Sequence, residues 1–177
     1  MGRGRRCHGR TCSVTILTSA RPPPGRTGTV FTRIDHVGIA CRDLDAAVAF
    51  YRSTYGFEVA HEEVNEEQGV REAMLRINGT DDGGASYLQL LEPIRDDSPV
   101  ARFLDRNGEG VHHVAFGTAD VAGASAAVAG SGVRVLDAEP RPGSMGSRIA
   151  FLHPKDCGGV LTELVQAADQ AADTEGS

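Results

Sequence analysis

The sequence predicts an α+β protein built from two tandem modules, each a strand, a helix and three further strands. Three observations carry that reading. The stretches Arg33-Ile34-Asp35-His36-Val37-Gly38-Ile39-Ala40 and Gly110-Val111-His112-His113-Val114-Ala115-Phe116-Gly117 are apolar, strand-like runs with a histidine at the same place. A helix-like segment follows each copy. Each half then closes on an apolar strand with one polar side chain in its middle, Gln89 within Tyr87–Leu91 and Glu163 within Val160–Val165. The repeat distances are 77 residues from His36 to His113 and 74 from Gln89 to Glu163, as one module used twice around a shared site requires.

A chain of 177 residues fits one compact domain or two small fused modules, and 40% hydrophobic content suffices for a core. No stretch approaches the roughly 18 consecutive apolar residues of a membrane span, so no membrane is expected as a partner. The net charge of -6 hides an asymmetry: Met1 to Arg33 holds seven arginines and no acid, which leaves the remainder at -13. An acidic body argues against nucleic acid, whose phosphates need a basic face. Cys7, Cys12, Cys41 and Cys157 show no CxxC spacing and read as reduced thiols of a cytoplasmic protein.

Taken in order, residues 1–29 are rich in Arg, Gly, Pro, Ser and Thr and include Arg21-Pro22-Pro23-Pro24-Gly25, the composition of a disordered basic extension. An organelle transit peptide and a true translation start near Val30 are the other readings of that segment. The first module covers residues 30–93. It opens on a strand over Thr32–Ala40, and Asp43 caps a helix with an inward stripe of Leu44, Ala47, Val48 and Tyr51, ended by Gly56. Strands over Phe57–Glu62 and Val70–Ile77 flank a loop at Asn65–Gly69, and Asn78-Gly79 with 81–84 supply turn chemistry before the Gln89 strand. Residues 94–109 form a linker helix that Ser98-Pro99 begins and Asn107-Gly108 stops. The second module, residues 110–166, repeats the plan. Its strand Val111–Gly117 leads into a helix capped by Asp120 with Val121, Ala124 and Val128 inward and Gly130 and Gly132 at its end, then strands over Arg134–Leu136, Arg148–Leu152 and Gly159–Val165. Residues 167–177 make a flexible C-terminal tail.

Strand alternation puts Ile34, His36 and Gly38 on one face and Val111, His113 and Ala115 on another. It selects His113 over His112 as the inward histidine and leaves His112 on the opposite face in a structural role. Gln89 and Glu163 likewise project singly from apolar strand faces. A buried polar group without a partner costs several kcal/mol, so hydrogen bonds or a cation must compensate. Two imidazoles, one carboxylate and one amide oxygen form a mixed N2O2 set for a divalent ion such as cobalt, nickel, manganese or zinc. The absence of thiolate ligands argues against a closed structural zinc site.

The paired modules carrying His36, Gln89, His113 and Glu163 resemble the vicinal oxygen chelate (glyoxalase-like) superfamily. Within it, Asn65-Glu66-Glu67-Gln68-Gly69-Val70-Arg71-Glu72, Gly110-Val111-His112-His113-Val114-Ala115 and Ser147-Arg148-Ile149-Ala150-Phe151-Leu152-His153-Pro154-Lys155 resemble the methylmalonyl-CoA epimerases, over about Ile34 to Gln166. The resemblance implies a cupped mixed sheet around a metal, an acyl-CoA substrate, a homodimer, and inversion at C2 through an enolate. It also implies Glu72 as a catalytic base and Glu163 as both ligand and opposite base; beside it, Arg148 is a candidate contact to the acyl group and Lys155 to a CoA phosphate. Three rivals share the fold. A glyoxalase-like lyase or isomerase is disfavoured by the segment ending at Glu72, and an extradiol dioxygenase leaves Gln89 without a purpose. A metal-free small-molecule binding protein does not need all four ligands.

Overall fold

The computed structural model describes residues 30–78 and 85–168. The basic extension, the expected turn residues at 79–84 and all but the first two residues of the C-terminal tail lie outside the described residues. The first half contains β1 (Arg33–Ala40), α1 (Leu44–Tyr55), β2 (Glu58–Asn65), β3 (Val70–Asn78) and β4 (Ser86–Pro93). Then come α2 (Pro99–Asn107), β5 (Gly110–Gly117), α3 (Val121–Ala129), β6 (Arg141–Pro142), β7 (Arg148–Leu152) and β8 (Thr162–Gln166).

Local chemistry sets the helix ends. The Asp43 carboxylate accepts from the Ala46 amide, and Gly56, at φ 73°, closes α1 in the left-handed conformation that favours glycine. The Ser98 hydroxyl, fully buried, accepts from the Ala101 amide ahead of α2. Asp120 caps α3 through the amides of Ala122 and Gly123.

All eight strands join one sheet in the order β2-β3-β4-β1-β5-β8-β7-β6. Each half contributes four neighbours with its first strand innermost, so the two modules meet along the antiparallel β1–β5 pair. The first strand of each half pairs in parallel with the last, β1 with β4 and β5 with β8. Helices cover one face. Leu44 of α1 packs on Ala73, Leu75, Leu88 and Leu90, and Val121, Ala124 and Val128 of α3 pack on Ala150, Leu152 and Leu164. The alternate residues of those strands, Glu72, Met74, Gln89, Leu91, Ile149, Phe151, Glu163 and Val165, turn to the other face. The inter-module helix packs too: Val100 and Leu104 of α2 cluster with Ala40, Val70 and Leu91.

One expected strand is corrected. Arg134–Leu136 makes only an isolated bridge between Val135 and Leu152, and regular pairing with β7 falls instead at Arg141–Pro142. The segment still runs along β7, since the Leu136 amide donates to the Phe151 carbonyl and the His153 amide donates to the Arg134 carbonyl. Pro140 and Pro142 lack amide donors, so the edge cannot extend into a longer ladder. The last strand also starts later than its apolar run, because Gly158 and Gly159 occupy positive φ in the preceding turn.

The seam depends on Gly38. It pairs with Gln89 on one side and His113 on the other, and a Cβ built there would lie 2.2 Å from Cε1 and 2.7 Å from Nε2 of His113. The His113 ring lies across the backbone of β1, and only hydrogen fits beneath it. Gly38→Ala is therefore expected to push the ring aside and to destabilise the fold by about 1–3 kcal/mol through overpacking. Chemical denaturation reads the stability change and NMR of the histidine ring protons reads the displacement. Wild-type stability with an unshifted His113 resonance would contradict this packing.

Candidate metal centre and active site

The β1–β5 pairing brings the His36 and His113 rings into a T-shaped contact, with ring centroids 5.2 Å apart and Nε2 atoms 3.1 Å apart. Glu163, opposite Ala115 in the β5–β8 ladder, extends Oε2 to 3.0 Å from His36 Nε2 and 3.1 Å from His113 Nε2. All three residues are buried, at 3–4% exposure. Their ligand atoms form the one such His/Cys/Asp/Glu cluster among the described residues.

The residues fit a cation. Gln89 Oε1 is buried with no hydrogen-bond partner, and an orphaned acceptor of this kind costs about 1–3 kcal/mol in the absence of compensation, while Glu163 Oε2 meets two imidazole nitrogens that themselves face each other at 3.1 Å. The electrostatics agree. Burial pulls the His36 pKa down, but the hydrogen bonds and charges of Asp35 and Glu163 outweigh it and raise it to about 9. Burial pushes the Glu163 carboxyl up, but His113 and His36 outweigh it and hold it at about 2. The pocket thus stabilises positive charge at the convergence of the three ligand atoms. Nitrogen and oxygen donors without thiolate suit a borderline divalent ion.

Gln89 stands on the neighbouring strand, opposite Gly38. Its Nε2 donates to Glu72 Oε2 at 2.8 Å, which leaves Oε1 as the outstanding acceptor. Glu72 is 1% exposed and lies across the β2–β3 ladder from Glu63. Burial, followed by the Glu63 carboxylate, pushes the Glu72 carboxyl up to about 8. His61 Nε2 sits 2.9 Å from Glu63 Oε2, which extends a line of titratable groups towards solvent.

A cavity of about 220 Å³ opens beside His113, lined among others by Leu91, His112, Arg141, Phe151 and Leu161. Arg141 stacks over the Phe151 ring at 5.7 Å and pairs with Asp137 at 2.8 Å. Neither Arg148 nor Lys155, the two expected substrate contacts, lines this cavity. Arg148 is exposed and shares its strand face with Ala150 and Leu152, on the α3 side, whereas Lys155 is exposed in the turn after β7.

His112 requires a correction. Alternation assigned it to the opposite face, yet its Nδ1 lies 3.0 Å from Nδ1 of His113 and its ring lines the cavity. The physical reason is a β-bulge: Gly38 pairs with His113 and Ile39 with Val111, so His112 is the extra residue, re-aimed sideways. Burial, followed by the charge of His113, lowers its pKa to about 4. Gly38, Glu63 and Arg141 were not singled out from the sequence. A lone glycine inside a strand is the signal that could have found Gly38; the other two are ordinary charged residues until the fold places them.

Residues 35–151 match the family model described as the Glyoxalase/Bleomycin resistance protein/Dioxygenase superfamily. A variant of the Streptomyces coelicolor methylmalonyl-CoA epimerase, solved in complex with 2-nitronate-propionyl-CoA, is 73% identical, with a TM-score of 0.75 over 78% of this chain and 99% of that one. A methylmalonyl-CoA epimerase solved with methylmalonyl-CoA and NH4+ is also 73% identical, with a TM-score of 0.76 over 78% of this chain and 96% of that one. The ethylmalonyl-CoA/methylmalonyl-CoA epimerase of Cereibacter sphaeroides is 38% identical over 136 residues, 76% of this chain and 97% of that protein. The chain belongs to the glyoxalase/bleomycin resistance protein/dioxygenase superfamily and, within it, to the methylmalonyl-CoA epimerase family.

Proposed function

We propose that the chain interconverts the (2R) and (2S) epimers of methylmalonyl-CoA. The observation that carries this reading is Glu72: a carboxyl 1% exposed, without a salt-bridge partner among the described residues, raised to about 8 and anchored by Gln89 beside the His36–His113–Glu163 cluster. A carboxyl raised towards neutral pH is suited to taking and returning a proton.

C2 of the substrate lies between a thioester and a carboxylate. Glu72 accepts the C2 proton as the C–H bond breaks, and the electron pair passes into the enolate. A proton drawn from water reaches the opposite face of C2 and inverts the centre, and Glu72 releases the proton it took to solvent, so that the count balances. His36, His113, Glu163 and the free Gln89 oxygen would hold a divalent ion, cobalt by first choice, whose charge favours the enolate oxygens. Gln89 fixes the Glu72 carboxyl through Oε2. Glu163 is better placed as a ligand than as the second base, because its neighbours hold it near 2, far below the range of an efficient proton acceptor.

The CoA portion has a fitting surface. A groove lined by Pro99, Arg102, Phe103, Arg106, His112 and Val160 shares Pro99, His112 and Leu161 with the cavity at His113. Its two guanidinium groups suit phosphate. The family reading adds a homodimer and the cysteine pattern a cytoplasmic location, which sedimentation and fractionation measure directly.

Three outcomes are expected. Protein incubated with one epimer in deuterated water should incorporate deuterium at C2 and racemise only with a divalent ion present; no exchange with any ion would defeat the reading. Glu72→Gln should lose turnover by about 10²–10⁴-fold at unchanged Co²⁺ affinity, while Glu163→Gln should lose both, as calorimetry beside the turnover assay will separate. Arg106→Ala should raise KM for the CoA thioester with kcat held, and leave KM for the truncated pantetheine thioester unchanged. An equal rise for both thioesters would remove Arg106 from phosphate binding.

A further inference from the structure

The ladder between β1 and β5 carries two β-bulges, one on each strand. Ile34 pairs with Phe116 and His36 with Ala115, so Asp35 is the extra residue on β1. Gly38 pairs with His113 and Ile39 with Val111, so His112 is the extra residue on β5. Each bulged residue immediately precedes a histidine of the cluster. A bulge abandons strict alternation and turns its side chain towards its neighbour. Asp35 Oδ1 lies 3.1 Å from His36 Nδ1, and His112 Nδ1 lies 3.0 Å from His113 Nδ1. Both outer contacts fall on the ring nitrogen that the cluster does not use, since His36 and His113 converge through Nε2.

We propose that Asp35 and His112 are a matched pair of positioning residues, each fixing the tautomer and ring angle of the histidine that follows it so that Nε2 presents a lone pair to a divalent ion. The proposal rests on the reading that His36 and His113 bind that ion. The His36 Nδ1–H donates to Asp35, and the His113 Nδ1–H donates to the Nδ1 lone pair of His112. His112 is thereby held as the Nε2–H tautomer.

The two partners differ in chemistry. Asp35 is a buried carboxylate whose other oxygen, Oδ2, receives Arg33 Nη2 at 2.5 Å. His112 is a neutral acceptor, and its ring is steadied by Phe103 of α2 in an edge contact with centroids 5.0 Å apart. An anionic partner makes the ligand ring more basic, whereas a neutral partner mainly orients it. The two histidines, alike in sequence position, are therefore unequal ligands, His36 the stronger donor.

Co²⁺ titration tests this, with chelator competition giving the affinity and the visible absorption of the bound ion reporting ligand strength and angle. Asp35→Ala and His112→Leu are each expected to weaken Co²⁺ binding by about 10–100-fold, the range for loss of a ligand's outer partner, with the larger effect and a shifted absorption band at Asp35. Asp35→Asn and His112→Gln keep an acceptor and a similar volume, so partial recovery is expected in both, and they serve if either first variant does not fold. His36→Ala should abolish binding and separates the two levels of the argument. Wild-type affinity and an unshifted band in the Asp35 and His112 variants, with binding lost in His36→Ala, would overturn the proposal and leave the ion reading standing. Absence of Co²⁺ binding to the wild-type protein would overturn both.

Discussion

The antiparallel pairing of β1 with β5 is the constraint on which the site depends. No single module contains the cluster: His36 comes from one half and His113 and Glu163 from the other, and this ladder sets their separation. A one-residue slip would turn either histidine to the wrong face. Register is pinned here by the two bulges and by the missing side chain at Gly38, which lets the His113 ring lie flat across β1. The same residues that define the seam also define the site, so its geometry cannot relax without disturbing the central ladder.

Electrostatics then separates two carboxylates that start chemically identical. Glu163 and Glu72 are both buried, yet the imidazoles beside Glu163 hold it low while burial and the facing Glu63 hold Glu72 high. Divergent environments of this kind mark different roles, ligand for one and proton carrier for the other. Gln89 joins the two by donating to Glu72 through its nitrogen and offering its oxygen to the cluster side. An amide suits that position because it is donor and acceptor at once.

Much of this was legible in the chain. The repeat of Arg33–Ala40 in Gly110–Gly117 foretold two modules of strand, helix and three strands, and Asp43, Gly56, Ser98 and Asp120 announced their helix ends through capping chemistry that acts within a few residues. His36 and His113 stood out because their places repeat. What escaped depends on pairing between distant segments. Alternation holds only in an unbulged strand, and nothing local to Val111–Val114 reveals that Ile39 pairs with Val111 and leaves His112 over. The strand expected at Arg134–Leu136 failed for a related reason, since edge pairing is decided by the neighbouring prolines and by β7. Arg141 became part of the cavity through its stacking on Phe151, a contact made only after folding.

The pseudo-symmetry also shows where the two halves must differ. In the first half Gln89 pairs with Met74, and two residues further Leu91 pairs with Glu72. In the second, Glu163 pairs with Phe151, and two residues further Val165 pairs with Ile149. Ile149, 2% exposed, therefore occupies the place that Glu72 holds in its own module. A symmetric site would add a third buried carboxyl to Glu72 and Glu163, each of which carries a desolvation cost. Using isoleucine on one side avoids that cost, and desolvation on the other keeps Glu72 near the proton affinity it needs. Repetition supplies the matched histidines of the metal centre, and departure from repetition supplies the base.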